Sequence, residues 1–262
     1  MVGKIFYYSA TGNTRFAAEA LASRLSLEAV SILDVSDGAA ALNVSKDLSC
    51  RLEAVGFMFP IYCWGIPPVF QAFMNRVLPA LKEDTYVWSV CTCGDEAGIA
   101  MKLFDSALRR ARGRGADALF SLIMPNTYVL LPGFDVDSRE VEEAKLENAP
   151  GRLEEIATII EARGERVFDV HQGSLPALRT RALFPLFRRW GVSTRLWHSL
   201  DTCIGCGSCA RICPARNIVM EDGRPSWGSD CFSCCACFHC CPVNAVQYGS
   251  ITKSKSQYLC TL

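Results

Sequence analysis

Neither sign of charge is in excess in this chain: 27 Lys and Arg face 27 Asp and Glu across 262 residues. A neutral protein offers no electrostatic footprint for nucleic acid, so no nucleic-acid partner is expected. Long apolar runs are missing too. No uncharged stretch is longer than residues 54–75, which contain Pro60, Pro67 and Pro68. That argues against a membrane helix and fits a buried strand, a loop and a helix start, so no membrane contact is expected. The opening MVGKIFYYSATGNT has no long h-region and no small-residue cleavage site; a cytoplasmic location is expected. Neither G-x-G-x-x-G nor a Walker A motif occurs, which speaks against an ADP-type dinucleotide or ATP.

What the chain has in quantity is cysteine. Of its fifteen, four lie at 50, 63, 91 and 93, ten fall between 203 and 241, and one stands at 260. A disulfide scaffold belongs to small secreted modules, and regular spacing points instead to metal ligation. CIGCGSCARICP from Cys203 repeats as CFSCCACFHCCP from Cys231, an offset of 28 residues. Cys203, Cys206, Cys209 and Cys213 map onto Cys231, Cys234, Cys237 and Cys241. Both units read C-x2-C-x2-C-x3-C-P, the spacing that holds cubane iron–sulfur clusters. A tight loop brings three thiolates together, and the x3 step carries the fourth away. The proline after 241 selects Cys241 over Cys240. Cys235 and Cys240 are then extras, read as small polarizable packing beside a cluster, with ligand swapping or a redox role as the alternative. Asp222-Gly223, within IVMEDGRPSW, marks a hairpin turn.

Residues 199–249 resemble the two-[4Fe–4S] bacterial ferredoxins. In that family the fourth cysteine of each motif ligates the other cluster. The resemblance implies one cluster on Cys203, Cys206, Cys209 and Cys241, and another on Cys231, Cys234, Cys237 and Cys213.

The first 160 residues alternate short apolar runs with amphipathic stretches, which predicts an α/β fold: a doubly wound, parallel five-stranded sheet. Strands are expected at 4–8, 28–33, 54–59, 86–91 and 118–124, and helices at 14–26, 68–77, 98–112 and 137–162. A ligand then belongs at the carboxyl ends of the strands. After the first strand, SATGNT (9–14) opens into a helix and offers hydroxyls and amides to a phosphate, or simply caps that helix. PIYCWGIP (60–67) follows the third strand and places Tyr62 and Trp64 where a flat ring can stack. TCGDEAG (92–98) offers amides to a polar ring edge. Together these loops suggest an FMN pocket.

The same loops resemble the flavodoxin family, most specifically in SATGNT and PIYCWGIP. The resemblance implies Ser9, Thr11, Gly12, Asn13 and Thr14 at the phosphate. Pro60, Tyr62, Trp64 and Gly65 would lie beside the isoalloxazine, and Thr92, Cys93, Gly94 and Asp95 at its pyrimidine edge. Many flavodoxins are strongly acidic and this chain is neutral. Its RRARGRG tract (109–115) is read either as a solvated helix end meeting the helix dipole or as a docking patch.

Residues 170–200 carry five arginines and no acidic residue. This tract is expected to pack its apolar side between the modules, although a basic amphipathic segment also suits a membrane surface or an acidic partner. His171, His198 and His239 are read as structural. The expected domains are 1–165, flavodoxin-like; 166–198, a linker with short helical pieces; and 199–262, a small α+β two-cluster ferredoxin domain. That order resembles the flavodoxin–ferredoxin fusion proteins of anaerobic microbes. It implies an electron relay between two [4Fe–4S] clusters and FMN, with a redox protein as donor or acceptor. The alternatives are an FMN-dependent reductase of a small organic acceptor, with Tyr128 and Asp135 lining its site, and a redox sensor.

Overall fold

The computed structural model describes residues 2–35, 48, 52–190 and 193–260. Cys50 lies outside them. Strands β1 (Gly3–Tyr7), β2 (Glu28–Ser31), β3 (Ala54–Pro60), β4 (Tyr86–Cys93), β5 (Ala118–Ile123) and β6 (Val167–Asp169) form one parallel sheet in the order β2-β1-β3-β4-β5-β6. The five expected strands are all present. The sixth extends the sheet past the boundary expected at residue 165, because Val167 and Phe168 register against Ala118 and Leu119.

Every residue of β4 is buried, and all of β3 but Pro60, as a strand covered on both faces requires. Helices α1 (Asn13–Leu25) and α4 (Arg139–Glu161) cover one face, packing Leu21, Ile156 and Ile160 on Met58, Trp88 and Phe120. Helices α2 (Pro68–Val77) and α3 (Ala100–Arg112) cover the other with Phe70, Phe73 and Phe104 on Phe57 and Phe59. Gly56 is required by this packing: a Cβ there would lie 2.3 Å from the ring of Trp88.

Two arginines of the RRARGRG tract are committed within the fold. Arg112 is buried and donates to the carbonyls of Lys82, Thr85, Arg114 and Gly115, while Arg114 pairs with Asp117.

Beyond β6, α5 (Pro176–Leu178), a π-helical turn (Arg179–Leu183) and α6 (Phe184–Trp190) run in succession. The second module holds β7 (Trp197–Ser199), α7 (Ser208–Ile212), β8 (Ile218–Glu221), β9 (Arg224–Trp227), α8 (Ala236–His239) and β10 (Val246–Tyr248). The expected hairpin is β8–β9, with Asp222 and Gly223 both at positive φ, as a type I′ turn needs. Val129 and Leu130, from the loop after β5, are buried in the second module's own core beside Phe238 and Trp197. That loop is therefore a joint between modules. Among the described residues no helix is long and apolar enough to cross a membrane.

Candidate functional site

The loop after β1 rises to Gly12, whose φ of 100° is open to glycine and strained for other residues. The first bond of α1 runs from the Phe16 N–H to the Gly12 carbonyl. The amides of Asn13, Thr14 and Arg15 stand ahead of that bond and have no acceptor within the helix. The side chains around them are already committed. Thr14 and Thr92 share a hydroxyl–hydroxyl hydrogen bond of 2.7 Å. Asn13 Nδ2 donates to the Pro125 carbonyl at 2.9 Å, and Asn13 Oδ1 accepts from the Tyr258 hydroxyl at 2.8 Å.

This loop borders a cleft enclosing about 680 Å³, its open mouth included. The cleft lies at the carboxyl ends of β1, β3, β4 and β5, where an open α/β sheet binds its ligand. Of the residues expected there, Ser9, Thr11, Asn13, Thr14, Pro60, Tyr62, Thr92, Cys93 and Gly94 line it. Gly12, Trp64, Gly65 and Asp95 do not.

Each of these departures has a physical cause. Gly12 turns toward the chain's tail, where a Cβ would meet the Cys260 carbonyl. In the loop after β3, Tyr62 and Gly65 exchange two backbone hydrogen bonds of 3.0 Å, with Cys63 and Trp64 at positive φ between them. That tight turn points Trp64 away from the cleft, under the Arg179 guanidinium at 5.1 Å. Thr180 donates to the Trp64 carbonyl, and the Phe184 ring sits where a Gly65 side chain would be. Asp95 is exposed and meets Lys145 at 3.7 Å. Gly94 leaves room for Asn126, which Asp137 holds through its side-chain amide and its backbone N–H.

Other lining residues were not foreseen: Cys63, the segment 124–127, Phe187, and Ser233, Cys234 and Cys235 from the second cysteine motif. The only hint of them in the sequence was a loop after β5 longer than a tight connection needs. Tyr128, expected in the alternative reading, does border the cleft; its hydroxyl has no hydrogen-bond partner among the described residues. Asp135 does not line it. Tyr8 and Tyr62 meet edge to face with hydroxyls 3.3 Å apart. Burial pushes both phenols well above their usual range, and the neighbouring cysteines push the same way.

The cysteines fall into two groups. Cys203, Cys206, Cys209 and Cys241 surround one small cavity, and Cys213, Cys231, Cys234 and Cys237 surround another together with Cys235. They ring a space instead of converging on a point, and among the described residues no group is close enough to hold a single metal ion. A cubane, whose thiolates each take a different iron, fits that arrangement. Backbone amides face the sulfurs: Ser233 toward Cys231 at 3.3 Å, Ala245 toward Cys241 at 3.1 Å and Asn217 toward Cys213 at 3.4 Å. Cys235 is buried beside the second cavity and the cleft alike.

His239 is a joint of fixed tautomer. Its Nδ1 accepts from the Tyr258 N–H at 3.2 Å, so Nε2 carries the proton that it donates to the Thr127 carbonyl at 2.7 Å. Burial lowers its pKa to about 4, against the opposing pull of that carbonyl.

Comparison with known proteins gives two separate family matches. Residues 4–112 match a family model described as flavodoxin domain, and residues 194–215 one described as 4Fe-4S binding domain. No curated protein matches. A flavodoxin from Fusobacterium nucleatum bound to flavin mononucleotide is 12% identical over 63% of this chain and 99% of its own, with a TM-score of 0.42. A rubredoxin oxygen:oxidoreductase from Desulfovibrio gigas is 16% identical over 62% of this chain, with a TM-score of 0.41; the chain spans only 36% of it. An archaeal flavodoxin is 16% identical over 60% of this chain and 99% of its own, with a TM-score of 0.38. The chain thus matches a flavodoxin-domain model over residues near one end and a 4Fe–4S binding-domain model over a short stretch near the other.

Proposed function

We propose that this protein passes electrons between two [4Fe–4S] clusters and an FMN held in the cleft. The observation that carries the reading is a shared wall: the loops after β1, β3 and β4 line the cleft together with Ser233, Cys234 and Cys235. The bound groups supply the redox chemistry, a cluster exchanging one electron at a time and a flavin one or two.

In this reading the amides of Asn13, Thr14 and Arg15 receive the phosphate, and Tyr62 and Cys63 border the ring. Thr92, Cys93 and Gly94 take its polar edge. Cys203, Cys206, Cys209 and Cys241 hold one cluster; Cys213, Cys231, Cys234 and Cys237 hold the other, with the fourth ligands exchanged. Cys234 sets the second group against the cleft, whereas Cys206 is exposed. A redox-protein partner therefore meets the Cys206 side. The loop carrying Val129 and Leu130 covers the inner group and keeps water from it. The Tyr128 hydroxyl, without a hydrogen-bond partner among the described residues, favours one second reading, a reductase in which a small acceptor enters the same cleft.

Anaerobic purification should yield one FMN and about eight irons per chain. After chemical reduction, flavin reoxidation is timed in the visible spectrum with quinones, enones and nitroaromatics, and with an oxidised carrier protein. Rapid exchange with the protein alone supports the relay. Saturable turnover of one small molecule replaces it with the reductase. A chain that holds no flavin sinks both.

A further inference from the structure

The last residues of the described chain leave the cysteine-rich module and return to the opposite module. Lys255 donates from Nζ to the carbonyls of Val129 and Leu131 at 2.7 Å each, and to that of Phe134. Gln257 donates to the carbonyls of Phe238 and Cys241, both in the second cysteine motif. The Tyr258 N–H reaches His239, and its hydroxyl reaches Asn13. The Cys260 N–H donates to the Thr11 carbonyl at 2.9 Å. Tyr258 and Cys260 are both about 6% exposed, so this is a packed strap.

We propose that Tyr258 is a positioning residue for flavin binding: through Asn13 it sets the loop that receives the FMN phosphate. This rests on the reading that FMN occupies the cleft. Asn13 is the first residue of α1, and its amide stands among the donors that precede the first helical bond. Its side chain is held at both ends. Pro125 accepts from Nδ2, which leaves Oδ1 as acceptor and the Tyr258 hydroxyl as donor. With both bonds made, the amide group has one orientation and the loop backbone beside it has little freedom, so the phosphate meets donors already aimed. Neither Tyr258 nor Cys260 lines the cleft; both act from the outer side of the loop. Since Tyr258 also holds His239, between Phe238 and the second motif's later cysteines, the same strap makes flavin retention depend on the docking of the cysteine-rich module.

The test compares FMN with riboflavin, which lacks the phosphate, by flavin-fluorescence titration of the full-length protein stripped of flavin. Tyr258→Phe keeps the ring and removes one hydrogen bond. It should weaken FMN roughly three- to tenfold and leave riboflavin unchanged, with iron content equal to wild type. In an Asn13→Ala background the same substitution should cost nothing further, since its route to the loop is gone. Equal weakening of both flavins, no weakening of FMN, or an effect that adds to Asn13→Ala overturns the assignment. A wild-type chain that binds neither flavin overturns the FMN reading itself, an outcome distinct from a failure of the variant.

Discussion

Thr14 and Thr92 meet hydroxyl to hydroxyl at 2.7 Å, both buried, and join the loop after β1 to the end of β4 across 78 residues of sequence. Replacing one by valine strands the other hydroxyl in the interior. Thr92→Val should therefore destabilise by about 1–3 kcal/mol, read as a lower urea midpoint at unchanged slope. The double variant Thr14→Val, Thr92→Val should cost less than the two singles summed, since no polar group is left orphaned. Strict additivity would show that the two hydroxyls do not depend on each other.

Gly56 faces the ring of Trp88 with no room for a methyl group. Gly56→Ala should force that ring or β3 to move, at about 1–3 kcal/mol. Thermal unfolding followed by tryptophan fluorescence reports it, and an unchanged midpoint would mean the sheet yields freely at this point.

Arg112 forks to four carbonyls at the end of α3. Lysine keeps the charge and loses the planar fork. Arg112→Lys should lower stability by roughly 1–3 kcal/mol, because carbonyls that lose their donor pay desolvation. Equal stability would indicate that water or the ammonium replaces the guanidinium.

Burial works upward on the Asp137 carboxyl, but the Lys145 ammonium and the two Asn126 donors outweigh it and hold its pKa below the ordinary range. A depressed pKa in the folded state adds stability that is present above the unfolded value, about 3.9, and lost as pH falls through the folded one. Asp137→Asn should thus flatten the stability profile below about pH 4. A profile that keeps its acid limb would assign that limb to other carboxylates.

Cys235 lines the second cavity beside the four expected ligands, and Cys240 lines neither cavity. In the two-cluster reading, Cys235→Ala and Cys240→Ala should keep full iron, while Cys206→Ala and Cys234→Ala should each lose about half or more. Iron analysis under anaerobic conditions decides it; loss of iron in Cys240→Ala would make that residue a ligand.

Features written in local sequence were legible. The repeated cysteine spacing, the Asp222-Gly223 turn and the alternation of apolar runs with helices depend on neighbours a few residues away. What could not be read depends on distant chain. Trp64 looked like a stacking residue because it sits on the loop after β3, yet the segment 176–190 brings Arg179, Thr180 and Phe184 against that loop and turns the ring outward. Strand β6 has three residues and is recognisable only beside β5. Ser233, Cys234 and Cys235 join the cleft because of how one module docks on the other, and no spacing rule encodes that. Tyr258 had no motif around it to mark it.

The bond from Tyr258 to Asn13 spans 245 residues, which has a consequence in time. A chain emerging from the ribosome releases its first loop long before the segment that sets it, and contacts this distant in sequence close late. The parallel sheet can assemble first and wait. The segment that completes the loop after β1 lies beyond all eight cysteines of the two groups, so that loop takes its final form only once the whole of that stretch has been made.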